Sequence, residues 1–183
     1  VSINTIDDTA EAFIRNATVK ATNSNINITS ANDSQIFAIA GAVSIGYSPE
    51  PELDTVAIAG AFARNSITGK TKAYIDQSLI EGKTLNQTVT NDSDIIALTA
   101  GSAGAFSDRG YALAGSLNFN IIDNENLAHI SNDSIIHLTG NATIAAKDES
   151  FIVGAAGTLS YGGRVGAGAS VTDNTVSYTH LTL

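Results

Sequence analysis

The sequence has no cysteine, no methionine and no tryptophan, only two prolines, and aromatic residues make up 6% of its 183 positions. Each shortage excludes something. Without cysteine there is no disulfide, no thiolate metal site and no cysteine nucleophile. The irregular core of a compact enzyme is usually filled with Trp, Met and large aromatics. A hydrophobic fraction of 43% drawn mainly from Ala, Val, Ile and Leu, together with 16 Gly, suggests flat, regularly stacked layers instead. Scarce proline means that strands are seldom interrupted. The nine Lys and Arg residues are scattered and the net charge is −9. A chain without a basic stripe is a poor match for nucleic acid or for an anionic lipid surface. No apolar run approaches the roughly 20 residues of a transmembrane helix, and no signal peptide opens the chain. Helix caps followed by sustained i, i+3, i+4 apolar positions are also missing.

What the sequence does have is internal repetition. The stretch Asp92–Ile122 holds two Ala/Gly/aliphatic arms joined by a polar turn, and the pattern recurs at Asp33–Ile67 and Asp148–Val176. Each copy ends in an Asn two positions before an aliphatic residue: Asn4/Ile6, Asn65/Ile67, Asn120/Ile122 and Asn174/Val176, at spacings of 61, 55 and 54. The repeats are therefore bounded at 7–67, 68–122 and 123–176. Residues 1–6 read as the end of a preceding repeat. Ser177–Leu183 breaks the pattern and reads as a non-repeat tail, a truncation scar. Each repeat opens on an Ala-x-Ile step (Ala12–Ile14, Ala73–Ile75, Ala128–Ile130), and Asn, Asp, Ser and Gly then punctuate sparse β-branched residues. This predicts short strands separated by tight turns.

The second arms align without gaps and alternate with period two, as strands do. One face carries Val56, Ile58, Gly60 and Phe62, and the other Ala57, Ala59, Ala61 and Ala63. The larger face is expected to be core. Asn65 and Ile67 would then lie on the wrong phase, so a bend or bulge after position 63 is expected. Turns that vary in length, at Tyr47–Thr55, Asp108–Gly110 and Gly162–Arg164, mark surface loops. Ser48–Asp54 and Asp108–Gly110 are the expected exposed contacts. A helix-free period of about 55–60 residues points to an all-β solenoid of stacked coils with parallel strand pairing. In such a stack Asn4, Asn65, Asn120 and Asn174 would form a ladder of side-chain amides.

Other candidates for chemistry are thin. His129 falls in a column with Phe13 and Tyr74, His137 has no acidic neighbour at ligand spacing, and His180 lies in the tail. Metal or acid–base work needs several convergent groups. Asp33, Asp92 and Asp148 read as an exposed acidic column that a calcium ion could bridge, although neither a calcium-binding nonapeptide repeat nor an EF-hand loop is present. Triplets such as Asn16-Ala-Thr18, Asn86-Gln-Thr88 and Asn141-Ala-Thr143 read as turn- and ladder-forming composition rather than glycosylation acceptors. Gly69-Lys70-Thr71 lacks the upstream glycine of a phosphate loop. No catalytic, cofactor-binding or metal site is assigned. The arms are long enough to be membrane-spanning strands, which need about 9–11 residues. Pore-forming hairpins are therefore an alternative, disfavoured by the Ala and Gly content.

The segments DSQIFAIAGAVSIG, TVAIAGAFARNSI, TKAYIDQSLI and DSDIIALTAGSAG resemble the repeat region of large filamentous adhesins of Gram-negative bacteria, the leukotoxin-type and filamentous-haemagglutinin-type exoproteins and autotransporter passengers. The resemblance spans about Val1–Val176 and belongs to the repeat style rather than to one protein. It implies a right-handed parallel β-helix with about three coils per repeat, an outer-membrane secretion partner and display at the cell surface. It supplies no catalytic residues. The functional expectation is a non-catalytic shaft segment that continues as the same solenoid at both ends. Its loops would be offered to host cell surfaces, extracellular matrix or neighbouring bacterial cells. The alternatives are a membrane-active exotoxin segment and, less favoured, a fragment of a β-helix carbohydrate-active enzyme.

Overall fold

The computed structural model describes residues 1–50 and 52–182, the side chains of 180–182 excepted. Pro51 of the expected loop, the His180 side chain and Leu183 lie outside the described residues. The fold is all-β with parallel sheets, and the described residues contain no helix. Sheet A is made of β1 (Ser2–Arg15), β3 (Thr55–Asp76), β5 (Gly110–Ser131) and β9 (Val165–Thr182), in that order. Sheet B is made of β2 (Thr18–Tyr47) and β4 (Leu79–Phe106), with β6 (Ile135–Leu138), β7 (Ala142–Asp148) and β8 (Phe151–Gly162) end to end along the far edge of β4. The chain alternates between the two sheets, and every pairing is parallel to the strand one repeat away.

Each repeat thus makes one long pass through each sheet. The expected short strands are present in the third repeat as β6, β7 and β8, whereas β2 to β5 are runs of 22 to 30 residues. The polar residues read as turn signals lie within these strands, because parallel in-register stacking gives each such side chain a counterpart in the next repeat. The two arms of a repeat lie in opposite sheets, so they form no hairpin. Residues 177–182 continue β9, paired from Asp123↔Ser177 to Ala128↔Thr182.

The sheets face each other, and alternation decides what lies between them. In β3 the buried positions run without interruption through Ala57, Ala59, Ala61, Ala63, Asn65, Ile67, Thr71, Ala73 and Ile75. The small face of the arms is the interior, and the large apolar face is outside: Val56 and Ile58 are 62% and 65% exposed. This reverses the expected orientation and removes the reason for a bulge after position 63. The phase change occurs in sheet B, where the register shifts between Ala21 and Asn25.

The physical reason is the narrow separation of the sheets at the arms. A Cβ on Gly101 would stand 2.5 Å from the backbone oxygen of Gly115 on the opposite sheet. Small residues fill this space, mostly Ala, Gly and Ser with Thr99 and Thr158, and Ala57, Ala59, Ala103, Ala105, Ala112 and Ala114 form one apolar cluster. The gap holds larger residues further along. Ile67, Ile95 and Ile122 make a second cluster with Ile36, Ala38 and Ala97, and a third gathers Ile26, Ile28, Ile75, Ile80, Leu85 and Val89. A fully buried Ile or Leu contributes roughly 1.5–3 kcal/mol, so these two clusters supply most of the apolar stabilisation. At the near turn Asn16, Gln77 and Asn132 all adopt left-handed backbone, with φ of 51°, 47° and 49°. Asn tolerates that conformation better than Gln does.

Gly101→Ala is expected to lower stability by about 1–3 kcal/mol, because the added methyl meets backbone that cannot move aside. Gly60 faces out from sheet A, and a methyl added there would meet nothing within 4 Å. Gly60→Ala is therefore expected to be neutral or to gain up to about 1 kcal/mol. Denaturant titration of the two variants checks both.

Candidate functional site

The four predicted ladder residues stack in register across sheet A: Asn4↔Asn65, Asn65↔Asn120 and Asn120↔Asn174. Each Nδ2 donates to the next Oδ1, at 2.8 Å from Asn4, 2.7 Å from Asn65 and 2.8 Å from Asn120. Asn65 and Asn120 are buried. The column of sheet B opposite them is kept small: a Cβ on Gly154 would collide with the Asn174 and Asn120 amides. Asn118, assigned from sequence to the non-core face, is also buried, and its Nδ2 donates to the Ala97 and Ala155 carbonyls on sheet B. Asn65 and Asn120 are therefore packing elements of the interior, whereas Asn4 is half-buried and Asn174 is exposed at the two ends of the ladder.

A second stack lies on the outside of sheet A. The rings of Phe13, Tyr74 and His129 are parallel at 5.2 and 5.4 Å. The Arg15 guanidinium lies over both Phe13 and Tyr74, donates to Tyr74 Oη at 2.8 Å and pairs with Asp76 at 3.2 Å. Asp76 is held below its ordinary pKa chiefly by the hydrogen bond from Asn132, with Ser131 and Arg15 adding to it. His137 is exposed on β6 beside Glu81.

The acidic column is one residue out of the expected alignment. Asp33 and Asp92 are in register, but Asp148 pairs with Asn91. Asp148 therefore points inward, where its Oδ2 accepts from Asn124 at 3.2 Å and from Asn126 at 2.7 Å. The equivalent dipeptide in the third repeat is Glu149-Ser150, with Ser150 Oγ accepting from the Ser93 amide. The Asp-Ser, Asp-Ser, Glu-Ser match was present in the sequence. The outward member Asp94 has its pKa raised, first by burial and then by the charge of Asp92. Among the described residues no three acidic or imidazole groups converge to hold a metal ion.

Sequence reasoning missed the interior polar layer between the two large-aliphatic clusters. Asn32 donates to Asn91 at 3.2 Å and to Asp8 at 3.1 Å, and Ser34 donates to Asp8 at 2.6 Å. Gly69 lies here because a Cβ would stand 2.8 Å from Asn124 Oδ1, which places Gly69-Lys70-Thr71 mid-strand rather than on a loop. Gln87 reaches across to the Ala73 and His129 carbonyls. Of the glycosylation-like triplets, Asn16 and Asn141 lie between strands, and Asn86 donates to Asn27 at 2.9 Å in an outward pair.

Over the arms the outward side of sheet B is apolar and uncharged. The outward side of sheet B carries Phe37, Ile39, Val43 and Ile45 on β2, Leu98 on β4, and Val153 and Leu159 on β8, all exposed. The expected contact loops are at the far turn, where Arg109 Nη1 donates to the Glu52 carbonyl at 3.1 Å and ties the first loop to the second. Comparison with protein-family models, curated proteins and solved structures finds no match.

Asn120→Ala removes two ladder bonds and leaves the Asn65 donor and the Asn174 acceptor without partners. The expected loss is about 2–4 kcal/mol, read as a lower midpoint in denaturant. Ser66→Ala, on the outward side of the neighbouring strand β3, is expected to change stability by under about 0.5 kcal/mol.

Proposed function

We propose that this chain is a non-catalytic shaft segment of a secreted or surface-displayed adhesin of a Gram-negative bacterium, folded as a right-handed parallel β-solenoid. The observation that carries the reading is the residue-for-residue parallel register between repeats, from Ser2↔Ala63 through Ala128↔Thr182. Stacking of like on like makes a rod whose length is set by the number of repeats. The outermost strands of both sheets have an unpaired edge, which another coil of the same kind would pair. With the far-turn loops Ser48–Asp54 and Asp108–Gly110 spaced along the rod, the shaft would present a repeated surface to host cells, matrix or neighbouring bacteria. An outer-membrane secretion partner belongs to the same proposal.

The outward Val, Ile, Leu and Phe side chains favour a second reading, a membrane-active segment. Open parallel sheets do not span a bilayer, because their edges would leave backbone groups unsatisfied in hydrocarbon. That reading therefore requires a rearranged state.

The test is binding of the purified chain to host cells and to matrix-coated surfaces, run beside dye release from liposomes and polysaccharide cleavage. Saturable binding that weakens on Arg109→Ala, without leakage or cleavage, is the expected result. Leakage at the same concentrations would replace the adhesin reading with the membrane-active one, and cleavage would replace it with an enzyme.

A further inference from the structure

We propose that the outer face of sheet B, over Ile36–Tyr47, Ile95–Phe106 and Phe151–Gly162, is a self-association surface that docks on the same face of a second copy of this chain. The inference is independent of the adhesin reading.

Three observations carry it. The first is composition: these three twelve-residue runs lie side by side, the third beginning one residue earlier with Phe151 beside Asp94, and contain no charged residue. The outer face of sheet A meets Arg64 and Asp173 within one strand-length of its turn and is interrupted there.

The second is a set of glycines that the chain's own packing does not require. Gly41, Ala100 and Gly157 are in register and make one column across the face. A Cβ on Gly157 would meet nothing within 4 Å, and one on Gly41 only the Ala100 oxygen at 3.9 Å. Neither has positive φ. Glycine inside a strand weakens it, and its recurrence at a free outward position suits the close approach of another backbone or side chain. Gly60, Gly115 and Ala169 make a like column on sheet A, but there Arg64 and Asp173 cut the apolar run short. The column is the floor of a groove. Phe37 and Ile39 rise on one side of it, and Val43 and Ile45 on the other, exposed by 63% to 75%. A ridge of one copy fits the groove of another, as in the dry interdigitated interfaces between paired sheets.

The third is area. At about 4.8 Å between strands and about 3.3 Å per residue, three such strands present roughly 500–600 Å² in projection. Two ridged faces together bring the buried accessible area to about 1,200 Å², the lower bound of stable protein interfaces. A two-fold arrangement is self-complementary. With strands antiparallel across the interface, it also keeps the acidic rims at Asp33, Asp92 and Asp94 of the two copies at opposite ends. The occupant is a second copy rather than a bilayer: at net charge −9 the chain is repelled by anionic lipid, and it has no Trp to anchor at a headgroup layer.

Sedimentation equilibrium over a concentration series tests this, with phosphatidylcholine vesicle flotation as a second arm. The wild-type chain is expected to associate reversibly. Gly41→Val with Gly157→Val should fill the groove and weaken association by about tenfold or more, with an unchanged or higher melting temperature. Gly60→Val, the same change on the opposite face, should leave association intact. A wild-type chain that stays monomeric at its highest soluble concentration overturns the proposal. Association that survives the double substitution overturns it in favour of strand-edge pairing. Vesicle binding lost on the double substitution, without self-association, assigns the face to lipid and overturns it as well.

Discussion

The narrow gap between the two sheets at the arms is the constraint on which the rest of the structure depends. Parallel, in-register pairing is common to both sheets, but it does not say which side of each strand faces the other sheet. The approach of Gly101 to the Gly115 backbone does. A gap of that width accepts methyl groups and little else, so alanines fill it and the valines, isoleucines and phenylalanines of the same strands are turned out. The usual rule that large apolar residues are buried is a statement about available volume as well as hydrophobicity. Here volume decides.

The interior is a series of layers along the strands, each matched in size across the gap. Large aliphatics meet large aliphatics at Ile67, Ile95 and Ile122. Amides meet alanine and glycine where Asn118 and Asn120 face Ala97 and Gly154. Alanine meets alanine towards the far turn. Buried amides are costly unless paired, and stacking identical residues pairs each with its own kind one repeat away. A shift of register by one residue would take each buried amide away from its partner in the next repeat and turn the shifted strand's small residues outward, so the polar layers select one register while the aliphatic layers supply most of the apolar stabilisation.

Much of this was legible in the sequence, and the part that was not has a clear origin. The all-β character follows from period-two alternation and the absence of helical periodicity, and the parallel pairing from the recurrence of like segments. The orientation of the arms did not, because one strand read alone shows alternation without showing the width of the space it faces. The clue lay in comparing two arms. Ala38, Ala40 and Ala42 on one and Ala57, Ala59, Ala61 and Ala63 on the other are small at facing positions, and the latter share their phase with Asn65 and Ile67. Taking the phases as continuous would have placed the alanines inside and made a bulge unnecessary. The expected strand breaks are absent from β2 to β5 for a related reason: Asn, Ser and Gly signal turns in isolated chains, but in these stacked strands they find side-chain partners and stay extended, while the third repeat does break at Asn132–Ser134 and Thr139–Asn141. The one-residue error at Asp148 came from aligning acidic residues where the Ser in Glu149-Ser150 carried the register.

A slab with small residues within and large apolar residues without has two consequences. Its stability rests on backbone ladders and two aliphatic clusters, so it lengthens by adding repeats rather than by thickening. Its broad faces carry exposed large apolar side chains over the arms. Both follow from which side of the arms is buried. Because the chain has no cysteine, single thiols can be introduced without interference. The most direct measurement is the rate of thiol modification in Ile58→Cys and in Ala59→Cys. The account predicts rapid reaction at position 58 and strong protection at position 59. Protection at 58 with rapid reaction at 59 would contradict it.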